Sequence, residues 1–171
     1  MQILETERLN LREVDSAVDA EFILELLNSP GFLKYIGDRG IRDVGQSRDF
    51  IDSRFRKSYT ENGFGLYAVE LKNDARDAIG ICGFVKRDGL PEADLGFALL
   101  PQFEKKGYGF ESVDAAMRYG RAELGLKRVL AITSLHNDNS VRLLEKLGFI
   151  FDSLIRLPHN DEDIKLFRSD I

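Results

Sequence analysis

A glycine-rich junction holds the residues whose types and spacing point most directly to chemistry. It reads Pro-Gln-Phe-Glu-Lys-Lys-Gly-Tyr-Gly-Phe-Glu over residues 101–111 and joins a strand-like run at 94–100 to a helix-like run at 110–124. Glycine lets backbone N–H groups turn toward an anion, and a helix start adds unpaired donors and a favourable dipole. Lys105 and Lys106 add positive charge. The junction predicts a cradle for a phosphate-bearing cofactor; the alternative is a tight turn with two solvated lysines.

Two common phosphate-binding motifs do not fit this junction. No Gly-Lys-Ser/Thr sequence follows the first glycine, which excludes a P-loop of the Walker type. No third glycine lies three residues after Gly109, which excludes the dinucleotide-binding fingerprint. The sequence therefore predicts a short pyrophosphate cradle of another kind.

Hydrophobic periodicity predicts the elements that position the junction. A first helix is expected after a cap at Asp15 or Ser16, and Asn137 is the expected N-cap of the last. Three consecutive strands with short turns between residues 64 and 100 predict an antiparallel meander. The predicted strands lie at 8–12, 64–71, 78–86, 93–100, 129–133, 149–157 and 163–167, and the later helices at 47–59, 110–124 and 137–147. This order, with two helices early and two late, predicts an α+β fold.

Length and composition favour one domain over residues 1–171. The chain has 171 residues, of which 43% are hydrophobic, enough for one full core and few for two. No run approaches the roughly 18 to 20 apolar residues of a membrane span, and no signal pattern opens the chain. We therefore expect no membrane partner and a cytoplasmic protein.

Net charge and the small number of metal-binding side chains bear on whether the protein binds nucleic acid or a metal. A net charge of −5 argues against general nucleic-acid binding and is compatible with basic substrates. Cys82 lies in an apolar run and is predicted to be a core residue. His136 and His159 have no further ligand at metal-site spacing, so no metal is expected.

Four segments taken together resemble a known family. They are Glu5-Thr6-Glu7-Arg8-Leu9-x-Leu11-Arg12, the strand Asp94-Leu95-Gly96-Phe97-Ala98-Leu99-Leu100-Pro101, the junction Lys105-Lys106-Gly107-Tyr108-Gly109-Phe110-Glu111, and Asn137-x-x-Ser140-x-x-Leu143-Leu144-Glu145-Lys146-Leu147-Gly148-Phe149. In order and spacing they resemble the GCN5-related N-acetyltransferase (GNAT) family, in its RimJ/RimL branch of ribosomal-protein N-terminal acetyltransferases. The resemblance implies a mixed, mostly antiparallel sheet of about seven strands flanked by four helices, with strands splayed at an acetyl-CoA site. Glu104 stands where the family's phosphate loop usually has Gln or Arg, and the two lysines replace that charge.

The resemblance also implies which residues contact acetyl-CoA. Backbone groups of the central strand would hold the pantetheine arm, and N–H groups of the junction would hold the pyrophosphate. Asn137 would contact pantetheine, and Lys146 would reach a phosphate unless it is a solvated lysine at a helix end. The implied cofactor-binding residues are Phe97, Ala98, Leu99, Lys105, Lys106, Gly107, Tyr108, Gly109, Phe110, Asn137, Ser140 and Lys146.

Acyl transfer from a thioester to an amine needs a base, an acid and a carbonyl-polarising donor. Asp94 and Glu92 are the candidate bases, and an acidic pair on one strand face would raise one pKa. Ser140 is the implied acid, with water as the alternative. Gly96 predicts a bulge that frees an N–H group to polarise the carbonyl, or else a glycine admitted for packing.

These features favour an acetyl-CoA-dependent N-acetyltransferase acting on a primary amine. The RimJ/RimL resemblance implies a protein N-terminus, first of all that of a ribosomal protein, as the acceptor, and segments 32–40 and 160–163 as its borders. The alternatives are a polyamine, amino-acid or antibiotic acetyltransferase and a non-catalytic acyl-CoA-binding module. Exposed sheet edges leave both a monomer and a homodimer open.

Overall fold

The computed structural model describes residues 1–171 as one eight-stranded sheet with helices on both faces. The strand order is β1-β2-β3-β4-β5-β6-β8-β7, and every neighbouring pair is antiparallel except the parallel pair β5 and β6. The strands are β1 (Gln2–Glu5), β2 (Leu9–Arg12), β3 (Leu66–Leu71), β4 (Ala78–Val85), β5 (Asp94–Leu99), β6 (Arg128–Ser134), β7 (Ile150–Ile155) and β8 (Ile164–Asp170). This confirms the α+β fold and the predicted meander.

Five helical stretches cover the sheet. Residues 44–62 form one continuous stretch in which a π-helical segment (Ile51–Arg56) joins two α-helical ends. A short 3-10 turn (Pro101–Phe103) precedes the long helix after β5. The α-helices are α1 (Ala20–Leu27), α2 (Pro30–Tyr35), α3 (Val44–Phe50), α4 (Lys57–Asn62), α5 (Tyr108–Ala122) and α6 (Asp138–Lys146).

The structure corrects three local predictions. Strand β1 is an extra, half-buried edge strand that pairs only with β2, and its adjacent apolar residues Ile3 and Leu4 hide the strand period. Pro30 begins α2 at its first turn, where proline is tolerated, so the segment after α1 holds a helix. The N-cap of α1 is Asp19, neither Asp15 nor Ser16. Asp19 is buried and bound bidentately by Arg12, and this ion pair anchors α1 on β2.

Two apolar cores lie on the two faces of the sheet. One packs α5 and α6 against the sheet and includes Cys82, which is fully buried as predicted; burial raises the pKa of its thiol to about 12. The other packs α1, α2 and the π-helical segment against the opposite face, through Ile23, Phe32 and Phe55. Because residues of β5 alternate between the two faces, this strand contacts both cores. No helix combines the length and apolar character needed to cross a bilayer.

Candidate active site

Strands β5 and β6 separate after a short paired start. They pair only at Asp94 with Leu130 and Leu95 with Ala131, and beyond these pairs a gap opens in the middle of the sheet. The predicted splaying is therefore present. The predicted bulge at Gly96 is wrong, because β4 and β5 pair without a register shift from Gly80 and Leu99 to Val85 and Asp94. A side chain at Gly96 would instead come within 2.8 Å of the end of the Leu66 side chain, so glycine there fits the close packing of Leu66.

The gap leaves backbone groups of β5 without a strand partner. Leu100 N–H bonds to Ile79 C=O on β4 at 2.8 Å, and antiparallel pairing alternates along the strand. Ala98 therefore directs its backbone groups to β4, as Gly96 does, whereas Phe97 and Leu99 direct theirs toward the gap. Of the three strand residues predicted to hold a cofactor arm through the backbone, Phe97 and Leu99 are oriented for it and Ala98 is not.

The glycine-rich junction forms the start of α5, as the sequence indicated. Gly107 is the N-cap residue at φ 85°, in the left-handed region, and Lys105 also has positive φ, at 59°. The first intrahelical bond runs from Glu111 N–H to Gly107 C=O at 3.1 Å, so the N–H groups of Tyr108, Gly109 and Phe110 have no helical acceptor. Both lysines are exposed beside these donors. The arrangement has the donors and positive charge that bind a phosphate.

Arg8 contacts the glycine-rich junction, which residue-by-residue reasoning missed. Its Nη1 donates to the Lys106 carbonyl at 3.0 Å, and its guanidinium carbon lies 4.5 Å from the centre of the Tyr108 ring. Glu111 accepts hydrogen bonds from Arg8 and Thr6; burial alone would raise its pKa, but these bonds outweigh burial and lower it. The segment before β2 thus braces the junction across more than 100 residues of sequence, which no local pattern reveals.

Helix α6 approaches the same end of α5. The Asn137 side chain accepts a hydrogen bond from Ser140 N–H at 3.3 Å, which confirms Asn137 as N-cap. The Ser140 hydroxyl makes no protein hydrogen bond and is half-buried, so it remains available to a ligand. Lys146 Nζ lies 4.5 Å from the centre of the Phe110 ring, within reach of the junction. Of the predicted α6 residues, Lys146 thus lies at the start of α5.

Two orphaned hydroxyls lie beside the gap. Thr133 Oγ1 and Ser134 Oγ are buried without any hydrogen-bond partner, on the part of β6 beyond its last pair with β5. A buried polar atom without a partner is costly unless a ligand or water satisfies it. The free backbone groups of Phe97 and Leu99 face the same gap. Residues on both sides therefore fit an extended molecule with amide groups, such as a pantetheine arm.

The two candidate bases differ in placement. Asp94 is fully buried at the start of β5, with its carboxylate bound by Arg87 Nε and Nη2 at 3.2 and 3.3 Å. Burial raises its pKa, and the charge and hydrogen bonds of Arg87 offset this only in part. Glu92 precedes β5 and lies half-exposed, 3.9 Å from Arg128. The prediction that Glu92 and Asp94 form an acidic pair that raises one pKa is therefore wrong, because burial raises the pKa of Asp94.

A cavity of about 570 Å³ opens on the opposite face of the sheet from the start of α5. It meets β5 at Gly96, Phe97 and Ala98, where the gap begins, and its size is typical of a ligand site. Phe32, Ile36 and Arg39 of segment 32–40 line it, whereas no residue of segment 160–163 does. Residues that line the cavity include Leu27, Phe32, Ile36, Arg39, Phe50, Ser53, Arg54, Lys57, Glu61, Leu66, Ile81, Lys86 and Arg87.

The fold and the gap together define an acyltransferase of one family. A sequence model described as the acetyltransferase (GNAT) domain matches residues 8–150. The chain therefore belongs to the GNAT acetyltransferase family and is an N-acetyltransferase. Acetyl-CoA is the cofactor of this family.

Individual relatives agree with this assignment. The uncharacterized N-acetyltransferase YoaA of Bacillus subtilis is 30% identical over 155 residues, which cover 90% of this chain and 86% of YoaA. The ribosomal protein uS5-alanine N-acetyltransferase of Escherichia coli is 31% identical over 106 residues, which cover 61% of this chain and 53% of that enzyme. RimL, an alpha-N-protein acetyltransferase of ribosomal L7/L12 solved with coenzyme A, has the same fold, with a TM-score of 0.84 at 14% identity over 100% of this chain and 98% of RimL.

Proposed function

We propose that this enzyme transfers the acetyl group of acetyl-CoA to the α-amine of a protein N-terminus. The observation that carries the proposal is the two-sided gap at β5, with the phosphate-binding start of α5 on one face and an open cavity on the other. Donor and acceptor can thus approach the same strand from opposite faces without competing for space. Exposed side chains such as Ile36, Arg39 and Arg54 rim the cavity, so a chain end can enter it. A relative that acetylates a ribosomal protein on alanine supports this acceptor.

The cofactor would be held by groups from β5, β6, α5 and α6. Phe97 and Leu99 would bind the pantetheine arm through the backbone, and Thr133 and Ser134 through their unpaired hydroxyls. The pyrophosphate would lie against the first-turn N–H groups of α5, beside Lys105 and Lys106. Bound there, acetyl-CoA supplies the acetyl group as a thioester.

Three groups have proposed roles in the transfer. Asp94, with its raised pKa, accepts a proton from the acceptor's ammonium through water, because its carboxylate does not itself line the cavity. Phe97 N–H, unpaired at the gap, donates to the carbonyl oxygen as the nitrogen attacks. The free hydroxyl of Ser140 gives a proton to the departing thiolate. Glu92 is the weaker candidate base, since it lies outside β5 and beside Arg128.

A steady-state acetylation assay tests the proposal. The purified protein is incubated with acetyl-CoA and either peptides with free α-amines, the same peptides with blocked α-amines, free amino acids or spermidine. Thiol release with free-amine peptides alone, and a mass gain on their N-termini, is the expected result. Turnover confined to spermidine or to free amino acids would replace the protein acceptor with a small molecule.

A further inference from the structure

The cavity on the acceptor side has a charge opposite to that of the whole chain. Five cationic side chains and one carboxylate line it, whereas the chain carries a net charge of −5. The cationic residues are Arg39, Arg54, Lys57, Lys86 and Arg87, and the acid is Glu61. A concave surface lined by one sign of charge attracts ligands of the other sign. The net charge of the chain suggested basic substrates, but the positive charge of the cavity favours acidic ones.

Two of these guanidinium groups have no partner of their own. Lys57 pairs with Glu61 at 3.7 Å and Arg87 with Asp94 at 3.2 Å, whereas Arg39 and Arg54 make neither an ion pair nor a side-chain hydrogen bond. Arg39 is an exposed residue, but the protein around its guanidinium group removes part of its water. This desolvation, together with repulsion from Arg87 and Arg54, lowers the pKa of Arg39. Like charges held together without a counter-charge favour a bound anion.

The fold holds both groups at the cavity. The Arg39 guanidinium carbon lies 6.0 Å from the centre of the Phe32 ring, which is buried and lines the same cavity. Arg54 belongs to the π-helical segment, whose Ile51 and Phe55 are buried in the core below. π-helical turns are frequent at functional sites.

The position of the pair separates it from the cofactor phosphates. Lys105, Lys106 and the first turn of α5 lie on the face of the sheet that packs α5. Arg39, in the loop after α2, and Arg54, in the π-helical segment, belong to the layer on the other face. An anion held by the two arginines therefore belongs to the acceptor.

We infer that the preferred acceptor is a protein N-terminus followed closely by acidic residues, whose carboxylates bind Arg39 and Arg54. The inference rests on the proposed function, because it names the chemistry of that acceptor. Guanidinium groups bind carboxylates bidentately and keep their charge across the working pH range. Polyamines, which carry several positive charges, are excluded by the same field.

The first test needs no variant. Acetylation is measured with three peptides that begin with alanine and continue with aspartates, serines or lysines, and with free aspartate. We expect kcat/KM to be about tenfold or more higher for the aspartate peptide than for the lysine peptide, mainly through KM, as for a lost charge-assisted hydrogen bond. Preference for free aspartate over every peptide would assign the carboxylate site to a small molecule and contradict a protein acceptor.

Variants connect the preference to the two arginines. Arg39→Gln and Arg54→Gln should each lower kcat/KM for the aspartate peptide about tenfold and lower kcat/KM for the serine peptide by a clearly smaller factor. The matched control is Arg48→Gln on the same helical stretch, which removes an exposed, unpaired arginine outside the cavity. Thermal unfolding of each variant verifies the fold.

A binding measurement separates the two hypotheses. Fluorescence anisotropy of a labelled aspartate peptide with the parent protein should show affinity that falls with added salt and with either arginine variant, but not with Arg48→Gln. Equal acetylation of all three peptides would overturn the acidic preference and leave the N-terminal function standing. Loss of acetyl-CoA binding in Arg39→Gln or Arg54→Gln would also overturn the acidic preference, because it would show that the two arginines bind the cofactor.

Discussion

Asp94 shows how one buried residue connects stability with pH. Its carboxylate is fully buried, and Arg87 lies 3.2 Å away, yet burial still raises its pKa above the ordinary 3.8. The folded protein therefore binds this proton more tightly than the unfolded chain does. The stability that the protonated form contributes is fully present below the unfolded pKa and is lost as pH rises through the folded pKa.

Asp94→Asn isolates this effect. The difference in unfolding free energy between parent and variant should fall as pH rises from 3.8 upward through the raised pKa, because only the parent loses the proton. Urea unfolding at a series of pH values measures the difference. A difference that is independent of pH would mean that Asp94 titrates alike in the folded and unfolded states.

Substitutions at Ser140 and Asn137 should distinguish a catalytic role of the Ser140 hydroxyl from the capping of α6. The Asn137 side chain is bonded by Ser140 N–H, so Ser140→Ala keeps the cap and leaves the melting temperature unchanged. It should lower kcat by roughly 10²-fold if the hydroxyl is the general acid. Asn137→Ala should instead lower the unfolding free energy by about 1 kcal/mol. Stopped assays and urea unfolding of both variants check this, and a fully active Ser140→Ala enzyme would assign the proton to water.

At the scale of elements, the start of α5 depends on two glycines with different requirements. Gly107 has positive φ, and a side chain there would come within 3.1 Å of Arg8 Nη2. Gly109 is helical, and a side chain there would make only ordinary contacts at 3.6 and 3.8 Å. The motif Gly-x-Gly thus contains one glycine required by the backbone and one that the helix itself does not require.

Alanine substitution at each position should distinguish them. Gly107→Ala should lower the unfolding free energy by about 1 to 2 kcal/mol, because a left-handed conformation is unfavourable for alanine. Gly109→Ala should raise it by about 0.5 to 1 kcal/mol, since alanine is the better helix former. Urea unfolding of both variants gives the comparison, and equal changes would contradict the assigned conformations.

At the scale of the whole molecule, the gap between β5 and β6 separates the proposed donor site from the proposed acceptor site, which lie on opposite faces of one sheet. The two cores hold these faces independently, one with α5 and α6 and the other with α1, α2 and residues 44–62. Ligand binding in the gap should therefore stabilise the entire domain. The monomer or homodimer stays a prediction, and β7 is an exposed edge strand that carries Ile150, Phe151 and Leu154.

A thermal-shift experiment measures that stabilisation. Acetyl-CoA at about 100 times its Kd adds roughly 2.7 kcal/mol, which for a domain of this size raises Tm by about 5 to 10 °C. The double variant Lys105→Gln and Lys106→Gln should show a clearly smaller shift at the same concentration. Lys127→Gln, an exposed change near the other end of α5, should behave like the parent. An equal shift in all three proteins would exclude the two lysines from cofactor binding.

The sequence by itself determined the order of the elements other than β1 and α2, and the local chemistry of the start of α5. Helical and strand periods reflect which side chains face a core, so the meander, α5, α6 and the N-cap at Asn137 were predictable. The start of α5 was predictable for the same reason, because glycines, lysines and a helix N-terminus act within a few residues of each other.

Only the tertiary structure decided which distant groups share a site. The missing bulge at Gly96, the orphaned hydroxyls of Thr133 and Ser134 and the contact of Arg8 with the start of α5 follow from how strands pair and separate. Arg39 and Arg54 are fifteen positions apart in the chain and come to line one cavity only when α2, with the loop after it, and the π-helical segment pack on one face. Periodicity indicates whether a residue is buried but not which residues lie beside it across the sheet. The electrostatic potential of a site depends on which charged side chains lie close together in the fold, whatever their positions in the sequence.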